Sequence, residues 1–272
     1  MNVALVDSHC HLDYQQFADD FAGTVARAKN AGVGMMVSIS VKLTTFDQVR
    51  AVAAQADHIY CTIGVHPHEA GEEGISTPDA LIEKASDPKI IGIGESGLDY
   101  FYDNAPRDAQ QESFRAHIAA CRETGLPLIV HTRDADDDTM DILEEEYEKG
   151  PFPGLIHCFS SSAALAQRAL KIGFYISCSG IITFNSAKEI RAALEDVPLD
   201  RLLVETDAPY LAPVPKRGKP NEPSYVAHTA AKLAEIKGVS VEEIARITTD
   251  NFFNLFTKAD RNNLLALGDG AQ

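Results

Sequence analysis

The stretch "RDAQQESFRAHIAACRETGLPLIVH", Arg107 to His131, contains both halves of the unit from which the fold can be read. Its first part carries apolar side chains at helical spacing and stops at Gly125, the residue favoured where a helix ends in a left-handed turn. Its second part, "PLIVH" at Pro127–His131, is a near-continuous apolar run ending on a histidine, as expected of a parallel strand buried on both faces. The same unit recurs along the chain. Strand-like runs stand at "VALV" before Asp7, "MMVSIS" (Met35–Ser40), "IYCTIGV" (Ile59–Val65) and "IIGIG" (Ile90–Gly94). They continue at "GLIHCF" (Gly154–Phe159), "FYISCSG" (Phe174–Gly180) and "RLLVETD" (Arg201–Asp207). Helical segments such as "DDFAGTVARAKNAG" and "SSAALAQRALKIG" close on Gly32 and Gly173. Eight strands alternating with helices predict an α/β fold of the (β/α)8 TIM-like barrel type rather than an open doubly wound sheet.

After the eighth run, "PSYVAHTAAKLAEIKG" and "SVEEIARITTDNFFNLF" supply extra C-terminal helices, and "LLALGDGAQ" reads as a frayed tail. No linker or shift in composition divides the chain, so a single barrel domain is expected over residues 1–260, with a tail at 261–272. The 45% hydrophobic content of the 272 residues suits a well-cored globular protein. No window suggests a membrane span, and the N-terminus lacks the pattern of a secretory signal, so a cytoplasmic location is expected. The five cysteines are an odd count without C-x-x-C spacing, which argues against a disulfide framework and a thiolate zinc site. A formal net charge of −16 disfavours a broad basic surface for wrapping nucleic acid. It leaves room for a local pocket that meets one strand end.

In barrels of this kind, chemistry gathers at the C-terminal ends of the strands. Within "VDSHCHLD" (Val6–Asp13), strand alternation predicts that Asp7, His9 and His11 project together while Ser8 and Cys10 face away. His66 and His68 follow the third strand, Glu95 ends the fourth, His131 the fifth, His157 the sixth, and Glu205 and Asp207 the eighth. So many ligand-type side chains at one rim point to metal binding. Four imidazoles with two carboxylates exceed the needs of one tetrahedral ion, and a carboxylate such as Glu95 can bridge two ions about 3.5–4 Å apart. Imidazole-rich ligation favours zinc, manganese or another transition metal over magnesium, although several divalent ions can support activity in an assay.

Seven segments then carry a resemblance: "VDSHCHLD", "GVHPH", "IGIGESGLDYF", "PLIVHTRDA", "LIHCFS", "LDRLLVETDAPYL" and "RGKPNEPSYV". In type and order they resemble the signature segments of the TatD family of metal-dependent hydrolases, within the amidohydrolase superfamily, over most of the chain. The resemblance implies a TIM-like barrel with two divalent metal ions. It assigns His9, His11 and Asp207 to one ion, His131 and His157 to the other, and Glu95 to both. It further implies magnesium- or manganese-supported DNA hydrolysis, including 3′ to 5′ exonuclease action, with some relatives acting on aminoacyl-tRNA esters. Departures at Ser96, Phe101 and Ser161 remove no ligand and bear on pocket shape.

Asp207 and Glu95 are the candidate catalytic carboxylates. A divalent ion acidifies a water, and Asp207 is placed to orient that water and accept its proton; the alternative is that Asp207 only ligates. Arg133, two residues past His131, is a candidate phosphate clamp or a cap for Asp134. Lys216, Arg217 and Lys219 concentrate charge in the loop "PKRGKP" and are candidate contacts to a nucleic-acid backbone, against the reading of a solvated loop. His66 and His68 are expected to line the substrate cleft, unless their rings satisfy local backbone groups. Asp7 and Glu205 are expected to orient imidazoles, or else to be structural carboxylates. The acidic run Asp134–Asp138 reads as a helix start rather than a cation site.

The expected function is a binuclear metal-dependent deoxyribonuclease acting on single-stranded DNA or 3′ ends, with no membrane partner. The basic loop favours a phosphate substrate over the alternative of an ester or amide hydrolase acting on an aminoacyl-tRNA or small molecule, and the complete ligand set argues against a non-catalytic metal-binding module. Oligomeric state is left open by the sequence.

Overall fold

The protein is described by a computed structural model covering residues 4–75 and 77–266. Eight parallel strands follow one another in chain order around a single sheet: β1 (Leu5–Cys10), β2 (Val33–Ser38), β3 (Ile59–Ile63), β4 (Ile90–Asp99), β5 (Leu128–Arg133), β6 (Gly154–Ile156), β7 (Tyr175–Cys178) and β8 (Leu202–Val204). Parallel neighbours need a crossover, and helices supply it on the outside of the ring. Arg107–Thr124 links β4 to β5, Asp136–Lys149 links β5 to β6, and Ala163–Lys171 links β6 to β7. Gly125 ends the first of these at φ 70°, a conformation that a side chain would strain. The ring closes just past the strand ends, where His11 N donates to Ala208 O (2.8 Å) and Asp207 N donates to His9 O (2.9 Å). The architecture is the (β/α)8 barrel expected from the repeating unit. No helix among the described residues is long and apolar enough to cross a membrane.

The barrel interior has two layers. Val6, Val37, Tyr60, Ile129, Leu155 and Leu203 form an apolar layer sealed by Phe252, Leu255 and Phe256 at the end of helix Val241–Leu255. That helix is tied to the entry of the strands: Thr249 Oγ1 donates to Ala4 O (2.8 Å), and Asn251 Nδ2 donates to Leu202 O (2.9 Å). Above this plug, alternation along each strand exchanges apolar for polar. His131 lies two residues beyond Ile129, His157 two beyond Leu155, and Glu205 two beyond Leu203.

In β1 the alternation does not run through. The pairing of β1 with β2 shifts register between Asp7 and Cys10, so Asp7 does not project with His9 and His11. Its carboxylate instead accepts from Thr206 N (2.8 Å) and Thr206 Oγ1 (2.6 Å), in the seam where β1 meets the end of β8. Ser8, expected to face away, donates to Val204 O (3.0 Å) and lies 3.3 Å from Ser177 Oγ. The segment expected to fray is also packed as far as it is described. Leu265 N donates to Gly34 O (3.1 Å), Asn263 Nδ2 donates to Tyr60 Oη (2.8 Å), and Leu264 packs on the plug. The remainder of that predicted tail, 267–272, lies outside the described residues.

Phe256 is fully buried in the plug. Phe256→Ala should therefore destabilise the fold by about 3–5 kcal/mol in denaturant titration, while the polar layer keeps its metal uptake.

Candidate metal centre

Glu95 leaves the middle of β4 with 3% of its surface exposed and sits at the focus of four imidazoles. Its Oε1 lies 2.8 Å from His157 Nε2, 2.9 Å from His131 Nδ1 and 3.5 Å from His66 Nε2. Its Oε2 lies 3.3 Å from His9 Nε2. Asp207 Oδ1 approaches the same group from the other side, 3.4 Å from His11 Nε2 and 3.7 Å from His9 Nε2. Three sets of ligand-type atoms result, each within 4.8 Å of one another: His9, Glu95 and His157; His9, His11 and Asp207; and His66, Glu95 and His131.

The donor set suits divalent metal. His9 is buried, yet neither of its ring nitrogens has a hydrogen-bond partner, and His11 Nδ1 is likewise unpaired. Buried polar atoms are rarely left in that condition, because each loses its water without replacement. Burial and the neighbouring His157 lower the pKa of His9, keeping its ring in the neutral, metal-binding form. Burial opposes the charge of Glu95, but the imidazoles of His157, His66 and His131 outweigh it and hold the carboxyl well below the usual range. Burial also opposes protonation of His157, where Glu95 and Glu205 outweigh it and raise the pKa. Imidazole with carboxylate suits zinc or manganese, and the carboxylates offer the oxygen ligands that magnesium prefers.

Neighbouring carboxylates fix the rings. Glu205 Oε1 lies 3.1 Å from His157 Nδ1 and accepts from Cys158 N (2.8 Å), while Asp7, as described above, touches no imidazole. Asp99 was not among the sequence candidates, although it lies four residues beyond Glu95 on the same strand parity. Its Oδ2 meets His131 Nε2 at 3.1 Å and His68 Nε2 at 2.9 Å. Burial acts against its charge, but His131 and Tyr102 N outweigh that and push its pKa down. His66, expected only to line the cleft, stands within the ligand-type cluster itself. Its place after β3 was the available sequence signal. Asp207 and Cys158 adopt left-handed backbone, φ 57° and 43°, which costs of order 1–3 kcal/mol at a non-glycine residue and recurs at functional sites.

The cluster opens into a cleft of about 1730 Å³, whose lining includes His11, His66, His68, Arg133 and Asp207. Arg133 neither caps Asp134 nor forms an ion pair with any other described residue; its guanidinium lies over the rings of Phe101 (4.1 Å) and Tyr102 (4.7 Å). Lys216, Arg217 and Lys219 are not among the residues that line this cleft. Their described neighbours include aromatic rings: Arg217 lies 3.8 Å over Phe184, and Lys216 5.0 Å over Tyr225. The acidic run opens a helix as expected, with Asp136, Asp137 and Asp138 in the first turn of Asp136–Lys149, and Asp136 also accepts from Ser161 Oγ (2.8 Å) and Ser162 Oγ (3.0 Å), joining two loops of the rim.

A family profile described as "TatD related DNase" matches residues 6–257. A metal-dependent hydrolase of Escherichia coli K12, YcfH, named as uncharacterized, is 44% identical over 93% of this chain and 95% of its own length. A protein of Escherichia fergusonii named "3′-5′ ssDNA/RNA exonuclease TatD" is 33% identical over 93% of this chain and 98% of its own. Among solved structures, the TatD homologue YjjV of E. coli K12 superposes with a TM-score of 0.86 at 30% identity, covering 94% of this chain and 99% of that one.

Chelator-stripped protein should unfold at a temperature roughly 5–10 °C below protein saturated with manganese or zinc at about 100 times Kd, since that occupancy adds ~2.7 kcal/mol. His9→Ala should abolish most of this shift in a thermal melt and lower the metal retained on gel filtration.

Proposed function

Because the chain belongs to the TatD family of metal-dependent hydrolases, we propose that it hydrolyses phosphodiester bonds of single-stranded DNA, removing nucleotides from the 3′ end. The observation that carries this reading is the convergence of Glu95 and Asp207 on His9, whose ring nitrogens are both left unpaired. The exonuclease name of the 33% identical relative supports the choice of substrate.

In this reading His9, His11 and Asp207 would hold one divalent ion and His131 and His157 a second, with Glu95 available to both. When bound, such ions neutralise charge at the phosphoryl oxygens and acidify the attacking water. Asp207 is the carboxylate suited to orienting that water, since 14% of its side chain is exposed to the cleft against 3% for Glu95. Burial works to protonate Asp207, but His11, His9 and His157 outweigh it and hold its carboxyl below the usual range, so the carboxylate is ionised. Glu205 and Asp99 hold His157 and His131 in orientation. His66, His68 and Arg133 line the cleft and are the proposed contacts to a phosphate backbone.

The test uses 3′-labelled and 5′-labelled single-stranded DNA with stripped protein reconstituted separately with magnesium, manganese or zinc. A metal-dependent ladder shortening from the 3′ end is expected. Asp207→Asn should lower kcat by about 10²–10⁴-fold without unfolding the barrel. Near-normal turnover by Asp207→Asn would remove it as proton acceptor, and intact DNA under every metal, with two ions bound per chain, would overturn the nuclease reading.

A further inference from the structure

Phe101 and Tyr102 lie just past the end of β4 and are 54% and 52% exposed, in a chain whose large apolar side chains are otherwise mostly buried. Exposed aromatic residues occurring singly are ordinary, but these two are adjacent and their backbone is fixed. Asp99 Oδ1 accepts from both amides, Phe101 N at 3.1 Å and Tyr102 N at 2.9 Å, and the two rings meet edge to face at 4.9 Å. Arg133, which pairs with Asp99 in the β4–β5 register, lays its guanidinium against both rings. Arg107, the other cation of the cleft lining, is committed to Asp103 at 3.6 Å and to the face of Tyr100, whereas Arg133 has no acidic partner among the described residues. The result is a preformed surface of two aromatic rings and one planar cation. It borders the metal cluster through Tyr102 on His68 (5.3 Å) and His68 on His131 (6.3 Å).

Resting on the nuclease reading above, we infer that Phe101, Tyr102 and Arg133 form a stacking platform for the base of a nucleotide next to the scissile bond. Every base has a π-face, so such a platform tolerates any sequence but requires the base to be unpaired. It selects single strands and frayed ends. Stacking also suits a chain of net charge −16, because it holds a polyanion without a broad basic surface.

The test compares wild type with the double variant Phe101→Ala/Tyr102→Ala and with Arg133→Lys, which keeps the charge but loses the planar stack. Two substrates are used with the metal-loaded enzyme: a single-stranded oligonucleotide and methyl p-nitrophenyl phosphate, a diester without a base. A phosphorothioate-protected oligonucleotide with 2-aminopurine beside its terminal linkage reports stacking by quenching. The double variant is expected to raise KM for the oligonucleotide and lower its kcat/KM relative to the small diester by about 10- to 100-fold, and to lose the quench. Arg133→Lys should give a smaller change in the same direction. An unchanged ratio with the quench retained would overturn the platform, as would a parallel loss on both substrates, which would assign the loop to holding His131 through Asp99. If wild type cleaves the small diester but neither binds nor cleaves the oligonucleotide, the nuclease reading itself fails and the platform falls with it.

Discussion

A carboxylate held almost wholly out of water, Glu95, is the constraint on which the upper half of this barrel depends. A buried charge is tolerable only where opposite charge or strong hydrogen bonds surround it. His9, His66, His131 and His157 supply that surrounding, and they come from the ends of β1, β3, β5 and β6. These side chains are remote in sequence, so only closure of the ring can gather them. The constraint then spreads outward. Rings aimed at one carboxylate need their other edges held, and Glu205 and Asp99 hold them for His157 and His131.

The lower half supplies what this arrangement costs in stability. Unpaired imidazole nitrogens and left-handed backbone at Asp207 and Cys158 are each unfavourable in isolation. The apolar layer around Val6, Ile129 and Leu155, sealed by Phe252 and Phe256, offsets them through burial. The helix that provides the seal also binds the seam between β1 and β8, so the last helix and the first strand form one structural unit.

The proposed nuclease function would bring a polyanion to the cleft of an acidic chain. In that proposal, metal bound at the base of the cleft would act with the aromatic faces and with the guanidinium of Arg133, which has no ion-pair partner among the described residues, so that recognition is local and needs no basic surface. Asp99 joins these parts: one oxygen reaches His68 and His131, and the other holds the loop that presents Phe101 and Tyr102.

The sequence by itself determined the barrel and nearly all of the cluster. Strand parity carries His131, His157 and Glu205 two residues past buried apolar positions, and the same arithmetic would have reached Asp99 from Glu95. It failed at Asp7, where a register shift in β1 breaks the alternation, and such a shift depends on how β1 pairs with β2 rather than on local residue type. It did not place Lys216, Arg217 and Lys219, which are not among the residues lining the cleft, because proximity in sequence to Asp207 says nothing of the loop's direction. In the structure Arg217 lies over Phe184 and Lys216 over Tyr225, contacts between separate segments that local sequence does not reveal. Tertiary structure alone moved His66 into the cluster and set Arg133 against two aromatic rings. Those placements rest on distances between separate strands and loops, which no periodicity within one segment encodes.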